Sequence, residues 1–371
     1  MVQGGQGPCL KNSVHLGFDG CLSVALRGLR GYAGAMSRRS LGCLLFTLTA
    51  CSGSGSEPNP PDPYPQCDSS STNLLQRAQT YDQIARDLHI QPGQNLLHAA
   101  RVKEDLTTFD EVRLSDNSGF WTATYAASQA YRYRVTEDPE ALENLKRVLR
   151  GMVELHDITG VPGLFARSYV HLGLPGFPTE QDLLDSSAGC DLSVEHCKRW
   201  NRGSGPFQEY MFKNDVSRDE YAGHLFAAGI AGRLIDDAEV QAAVRKISFN
   251  TAVHLMDNQM AFIDIDGEPT TFGAMSPTSF GGFPGFLALQ TLAWFKAAAL
   301  QTEDPRIERF YQHCMVRDDI SQCEDPALAT DDAYTVHLRT MGLDLGCKTN
   351  WNNHNMAQLA MFDLIQSETD P

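Results

Sequence analysis

The sequence predicts an all-α fold assembled from helical hairpins, and three observations predict it. Apolar residues recur at helical spacing through most of residues 73–365. The turn Thr136-Glu137-Asp138-Pro139 returns as Thr302-Glu303-Asp304-Pro305, each time between two such stretches. Extended signal is confined to short β-hairpin loops, as at Asp266-Gly267 between Phe262 and Phe272.

A first helix is expected over residues 73–90, with Leu74, Leu75, Ala78, Tyr81, Ile84, Ala85 and Leu88 on its stripe. The next opens after Asp116-Asn117-Ser118-Gly119 and carries Trp121, Tyr125, Ser128 and Arg132 along one face. At its end Asp138 reads as an N-cap and Pro139 as the first helical residue of the partner helix. That helix has the stripe Leu142, Leu145, Leu149, Met152 and Leu155, and Val161-Pro162-Gly163 breaks it. A second unit runs from Asp215, with helices at about 218–235 and from Asp236-Asp237 through Val240, Val244, Ile247, Thr251 and Leu255. A third begins near Phe283-Pro284 and a fourth near Asn352. The chain stops on Glu368-Thr369-Asp370-Pro371, close to the mark that separates two helices of a hairpin. The last helix is therefore expected to need a missing C-terminal segment, a partner in a homo-oligomer, or the segment around Cys67 against its open face.

The N-terminal region reads as an address. Residues 1–35 are Gly-rich and look like an upstream extension from a start assigned too early. Residues 36–50 hold Met36-Ser37-Arg38-Arg39, an apolar run and Leu48-Thr49-Ala50 before Cys51, which is the layout of an export signal. Leu48-Thr49-Ala50-Cys51 resembles a bacterial lipoprotein lipobox, which implies lipidation of Cys51 and a membrane anchor. Ser52 rather than Asp favours the outer membrane by analogy with lipoprotein sorting. Residues 51–70 are rich in Ser, Gly and Pro and read as a tether, which leaves 71–371 as the folded domain.

Of ten cysteines, six follow Cys51: Cys67, Cys190, Cys197, Cys314, Cys323 and Cys347. An even number in an exported chain suggests disulfides, with Cys190/Cys197 and Cys314/Cys323 near enough to clip local loops and Cys67/Cys347 left over. No Cys-x-x-Cys or His-x-x-x-His spacing points to zinc, so no metal is expected. The formal charge is −16, and the first 51 residues hold five Lys/Arg against one Asp, which leaves the remainder near −20. That balance argues against a nucleic-acid partner. Phosphate-binding Gly loops, the Gly-x-Ser-x-Gly elbow and His-Glu-x-x-His are absent, so phosphoryl, serine-esterase and zinc-protease chemistry lack support and no cofactor is expected.

Asp116-Asn117-Ser118-Gly119-Phe120-Trp121, Arg167-Ser168-Tyr169, Asp215-Val216-Ser217-Arg218-Asp219-Glu220 with Gly223-His224, and Asp264-Ile265-Asp266-Gly267 together resemble a largely uncharacterised group of bacterial proteins related to the six-hairpin glycosidases. The resemblance covers about residues 95–365. It implies an incomplete or full α/α toroid whose helix N-termini face a carbohydrate site. Ser118, Asn214 and Asn352-Asn353-His354-Asn355 depart from the group's pattern, which usually has Asp, Gly and acidic residues there.

The leading expectation is glycan hydrolysis, in which Asp116, Asp215 and Asp219 do acid/base work and His224 is a base held by Glu220. Asn117, Trp121, Tyr125, Arg167, Tyr169 and His354 are the candidates for substrate binding. Arg167, Tyr169 and His224 also suit a polysaccharide lyase. The departures from the pattern instead suit a glycan-binding or scaffold protein without catalysis. Each residue has a structural alternative: Asp116 as an N-cap, Ser217 and Glu220 as a capping box, the aromatics as core.

Overall fold

The computed structural model describes residues 71–368, except 106, 114, 189–196, 278–283, 318–319, 324, 326–331 and 341–350. Cys51, Cys67, Cys190, Cys347 and the closing Thr369-Asp370-Pro371 lie outside the described residues. Of the residues described, 61% are helical and 11% are in strands, so the mainly-α expectation holds.

Helix α1 (Ser71–Ile84) widens into a π turn over Ala85–His89. Strands β1 (Ala99–Val102) and β2 (Phe109–Arg113) form an antiparallel hairpin. Helices α2 (Ser118–Thr136) and α3 (Pro139–Asp157) follow as a hairpin. Between α3 and the next hairpin lie β3 (Ser168–His171), the short α4 (Glu180–Asp185), β4 (Trp200–Arg202) and β5 (Tyr210–Lys213). The three strands make an antiparallel sheet in the order β3-β5-β4. Helices α5 (Arg218–Leu234) and α6 (Ala238–Asp257) form the second hairpin, and β6 (Ala261–Ile263) pairs with β7 (Pro269–Ala274). Helix α7 (Pro284–Thr302), α8 (Pro305–Arg309) with its π continuation Phe310–Val316, α9 (Tyr334–His337) and α10 (Trp351–Ser367) complete the unit. The sequence reading located the long helices and the β6–β7 hairpin but missed β1–β2 and the three-stranded sheet.

The two Thr-Glu-Asp-Pro turns have one geometry. Thr136 and Thr302 each donate a hydroxyl hydrogen bond of 2.7 Å to the carbonyl four residues back. Glu137 and Glu303 take left-handed φ values of 55° and 53°. Asp138 and Asp304 then cap the following helices by accepting from the N–H of Glu140 and Arg306, at 2.9 and 2.8 Å. Pro139 and Pro305 occupy the first helical position, where the missing N–H is no loss.

Helices α2, α5, α7 and α10 run side by side in one direction. Gly119 near the start of α2 lies against Glu220 and His224 near the start of α5. Toward their C-terminal ends, Arg233 of α5 pairs with Asp363 of α10 at 2.8 Å, and Gln301 of α7 reaches the Ala228 carbonyl at 2.9 Å. Helices α3 and α6 return antiparallel along one flank and pack on each other. Ion pairs Lys146–Asp237 at 2.8 Å, Arg150–Glu239 at 2.7 Å and Lys246–Asp157 at 2.6 Å cross between the segments of these two hairpins. The main core fills the space between the rows, with α7 buried from Gly285 to Ala299. Among the described residues, no helix is long and apolar enough to cross a membrane. Cys314 and Cys323 form the expected disulfide. Cys197 is also disulfide-bonded.

Helix α1 is fixed to α2 through one buried carboxylate. Asp82 accepts from Tyr125 Oη at 2.6 Å, Gln129 Nε2 at 2.9 Å, Arg132 Nη1 at 2.6 Å and Arg86. Substituting Asp82→Ala leaves Arg86 and Arg132 their bonds to Glu140 and Asp138 but removes the acceptor of the buried Tyr125 hydroxyl and Gln129 amide. The expected loss is about 1–3 kcal/mol, the range for leaving buried donors unsatisfied. Chemical denaturation of the two proteins measures it, and a loss below about 0.5 kcal/mol would mean that other contacts hold α1.

Candidate functional site

The parallel arrangement collects the starts of α2 and α5 at one end of the molecule. A helix start presents backbone N–H groups without intrahelical partners. At α2 the N-cap is Asn117, and its side chain makes no capping bond. The orphan N–H groups are taken up from far away in sequence. Gly119 N–H donates to the Arg167 carbonyl at 3.3 Å, and Phe120 N–H donates to Glu220 Oε2 at 2.8 Å. The Asn117 amide nitrogen, turned toward its acceptors, reaches the Asp116 carbonyl at 2.9 Å and Glu220 Oε1 at 3.1 Å. Glu220 is thus a cap for a neighbouring helix. The capping-box expectation is corrected: Ser217 is the N-cap of α5, but its side chain makes no capping bond.

Glu220 is fully buried. Burial pushes its carboxyl well above the usual carboxylate range, against the opposing pull of Arg167 and the Phe120 N–H. Gly119 makes the approach possible, because a Cβ there would come within 2.6 Å of both Glu220 Oε2 and His224 Nε2.

Arg167 is buried and ties the segments before α2 and α5 together. Its Nε donates to the Asp215 carbonyl and its Nη1 to the Asp116 carbonyl at 3.4 Å. Its own N–H donates to the Lys213 carbonyl at 2.8 Å at the edge of β5. It orders backbone, which differs from the expected role of contacting substrate.

Asp116 does not cap α2. Its half-exposed carboxylate lies between Lys198, at 2.8 Å, and Lys213. Burial raises its pKa, but the hydrogen bonds and charges of the two lysines outweigh that and hold it at about 2. Such a group stays ionised and has no proton to give.

Asp215 is buried and sits at a left-handed φ of 53°. Its carboxylate accepts from Thr271 N at 2.8 Å and Thr271 Oγ1 at 3.1 Å, so it fastens β7 rather than facing solvent. Asp264 completes that junction by accepting from Asn214 Nδ2 at 2.8 Å and Asp215 N at 3.0 Å. Asp264 was visible in the Asp264–Gly267 motif, yet nothing in the sequence showed that it would hold the Asn214-Asp215 turn. Asn214 also accepts from Arg199 N at 2.8 Å.

His224 is fully buried, and its ring stacks on Phe165 with centroids 4.2 Å apart. Burial pushes its pKa down to about 3. Neither ring nitrogen has a hydrogen-bond partner, and the same holds for His156, which meets Phe165 edge-on. The expected base is thus an aromatic core residue, corrected by its burial. Tyr169 is likewise buried, and its hydroxyl donates to Glu154, which in turn accepts from Asn95 at 2.9 Å. Burial and the Glu154 charge push the phenol well up. Tyr125 is a buried partner of Asp82.

What remains open to solvent is smaller than the sequence promised. Asp219 is half-buried, and Trp121 is 52% exposed with its ring edge-on to Phe120 at 5.0 Å. Trp121, Thr124, Ser128, Tyr131 and Val135 follow one face of α2, with Tyr131 and Val135 also exposed. His354 lies near the start of α10. The structure therefore brings Asp116, Asn117, Arg167, Asp215 and Glu220 into one junction, and leaves Tyr125 and Tyr169 elsewhere. Among the described residues, no group of three or more His, Cys, Asp or Glu could hold a metal ion.

Comparison with protein-family models, with curated proteins and with solved structures finds no match.

Because burial raises the Glu220 carboxyl, its stabilising contribution is fully present at low pH and falls as pH rises through its raised folded value. Glu220→Gln keeps the acceptor for Phe120 N–H and is expected to cost under about 1 kcal/mol at pH 7. It should also flatten the loss of stability at alkaline pH. Gly119→Ala should cost about 1–3 kcal/mol, the range for overpacking a filled site. Thermal unfolding across pH 5–9 measures both; a Gln variant as damaged as Gly119→Ala would mean that Glu220 is needed as an anion.

Proposed function

We propose that this domain is a carbohydrate-binding module of the α/α-toroid type, carried by an exported lipoprotein, and that it holds glycan at the exposed Trp121 face of α2 without cleaving it. One observation carries the reading. The carboxyl groups at this end are engaged: Asp116 by two lysines, Asp215 by Thr271, Glu220 by the start of α2. Glycoside hydrolysis needs a proton-carrying acid and a second carboxylate facing one sugar. Here the Glu220 carboxyl beside α2 is sealed from solvent, and the accessible Asp116 is held ionised. Asp219 alone supplies half of a pair. The lyase alternative loses its base in the same way, since His224 is buried and the Tyr169 hydroxyl is bound to Glu154.

Trp121 is the residue assigned to sugar contact. A flat, exposed aromatic ring stacks on the apolar face of a pyranose, and the Lys198 ammonium keeps N–H groups beyond its bond to Asp116 that can donate to hydroxyl oxygens. Exposure of a large ring beside polar groups is also the usual anatomy of a binding hot spot. A lipid on Cys51 and the tether 51–70 would place this surface at the outer membrane.

Calorimetry of the full chain against neutral and acidic oligosaccharides tests the reading. Trp121→Ala should weaken binding about tenfold, and Asp219→Asn should leave it within about twofold. Release of reducing ends that disappears in Asp219→Asn would replace the binding reading with hydrolysis.

A further inference from the structure

Helix α10 is attached to the rest of the unit through an unusual junction. Asp363 is 1% exposed, in the interface between α10 and α5. Its Oδ1 accepts from Arg233 Nη1 at 2.8 Å, and its Oδ2 has no hydrogen-bond donor. The carboxylate presses on Gly229 of α5, where a Cβ would collide with both of its oxygens. Arg233 also reaches Ser367 Oγ at 3.3 Å and is itself about a quarter exposed, so it offers the carboxylate a partly hydrated partner. A buried carboxylate with one unbonded oxygen is costly when ionised and much less so when protonated.

We propose that Asp363 makes α10 a pH-sensitive latch: the helix grips α5 more tightly when this carboxyl is protonated and loosens its grip when it ionises. Burial raises the group, against the hydrogen bond and charge of Arg233, to about 6, so the change falls in a range that an envelope protein meets. The sign follows. The stabilisation of docking is fully present below the ordinary carboxylate value and is lost as pH rises through about 6. The other charged groups facing the junction lie toward the C-terminal ends of α7 and α10. On α7, Lys296 pairs with Glu368 at 3.1 Å and lies over the Tyr311 ring, and Tyr311 Oη donates to the same Glu368 at 2.8 Å. These groups close the C-terminal end of α10. His354 is the other titratable group on α10, and it sits at the opposite end of the helix.

The latch has a bearing on the exposed end of the molecule. The parallel helices put Asn352, Asn353, His354 and Asn355 of α10 at the same end as the start of α5, whose Glu220 seals α2. A looser α10 would change the wall beside that end without touching the residues assigned to sugar contact.

Hydrogen exchange of the full chain between pH 5 and 7.5, corrected for intrinsic rates, tests the proposal. Amides of residues 356–367 should lose protection about tenfold over this range, while those of α2 and α3 hold theirs. Asp363→Asn should remove the slope in α10. Arg233→Met, which deletes the donor and leaves the carboxyl, should move the transition to higher pH. A flat profile in the unmodified protein, or a slope that survives Asp363→Asn, would overturn the latch.

Discussion

Helices that enter a structure from one end in parallel present their unpaired N–H groups together, and water cannot serve them once the ends are packed. Here the starts of α2 and α5 are close enough that Gly119 touches Glu220. The N–H groups of α2 are satisfied by the Arg167 carbonyl and the Glu220 carboxyl, and Arg167 in turn binds the carbonyls of Asp116 and Asp215. These contacts span tens of residues and link four segments of chain. The glycine at 119, the left-handed Asp215 and the Asp264 junction follow from this one requirement. So does the raised pKa of Glu220, since burial at that depth penalises the ionised carboxylate.

The same requirement shapes what the site can do. Carboxyl groups that order helix starts and hairpins are poor reagents, because moving their protons disturbs the fold that holds them. Asp116 is the exception in position but not in state: it reaches solvent, and its two lysines keep it charged. The result is a surface of fixed charges and one exposed indole, suited to holding a polar ligand with a flat apolar face. In a chain whose residues after Cys51 carry near −20, the cluster of Lys198 and Lys213 is a local reversal of sign.

The helices were legible because their signals are local. Stripes at helical spacing, Asp-Pro starts and the Asp266-Gly267 turn each act within a few residues, and the structure places elements where they predict. The three-stranded sheet was not legible. Its strands Ser168–His171, Trp200–Arg202 and Tyr210–Lys213 are only three or four residues long and take their pairing from segments far apart. The site residues were found by motif and mostly misassigned in role. Asp215, Glu220 and His224 share a short segment and looked like one reactive face, but burial decided their chemistry. The spacing of Ser217 and Glu220 fits a capping box equally well in sequence, and only packing against Phe120 shows that Glu220 serves another helix.

The two matching Thr-Glu-Asp-Pro turns also say something about the order in which the chain assembles. Each joins neighbouring helices through bonds that span six residues or fewer, so closing it costs little chain entropy. The bonds at the opposite end, from Phe120 to Glu220 and from Arg167 to Asp215, close loops many times longer. Contacts of that range form late in folding, because their entropy cost must be met before they return any stability. The hairpins should therefore be largely built in the folding transition state while the junction of helix starts is still open. Damage at Glu220 or Arg167 would then act on the unfolding rate, and damage at Asp138 on the folding rate, although both lie at helix termini.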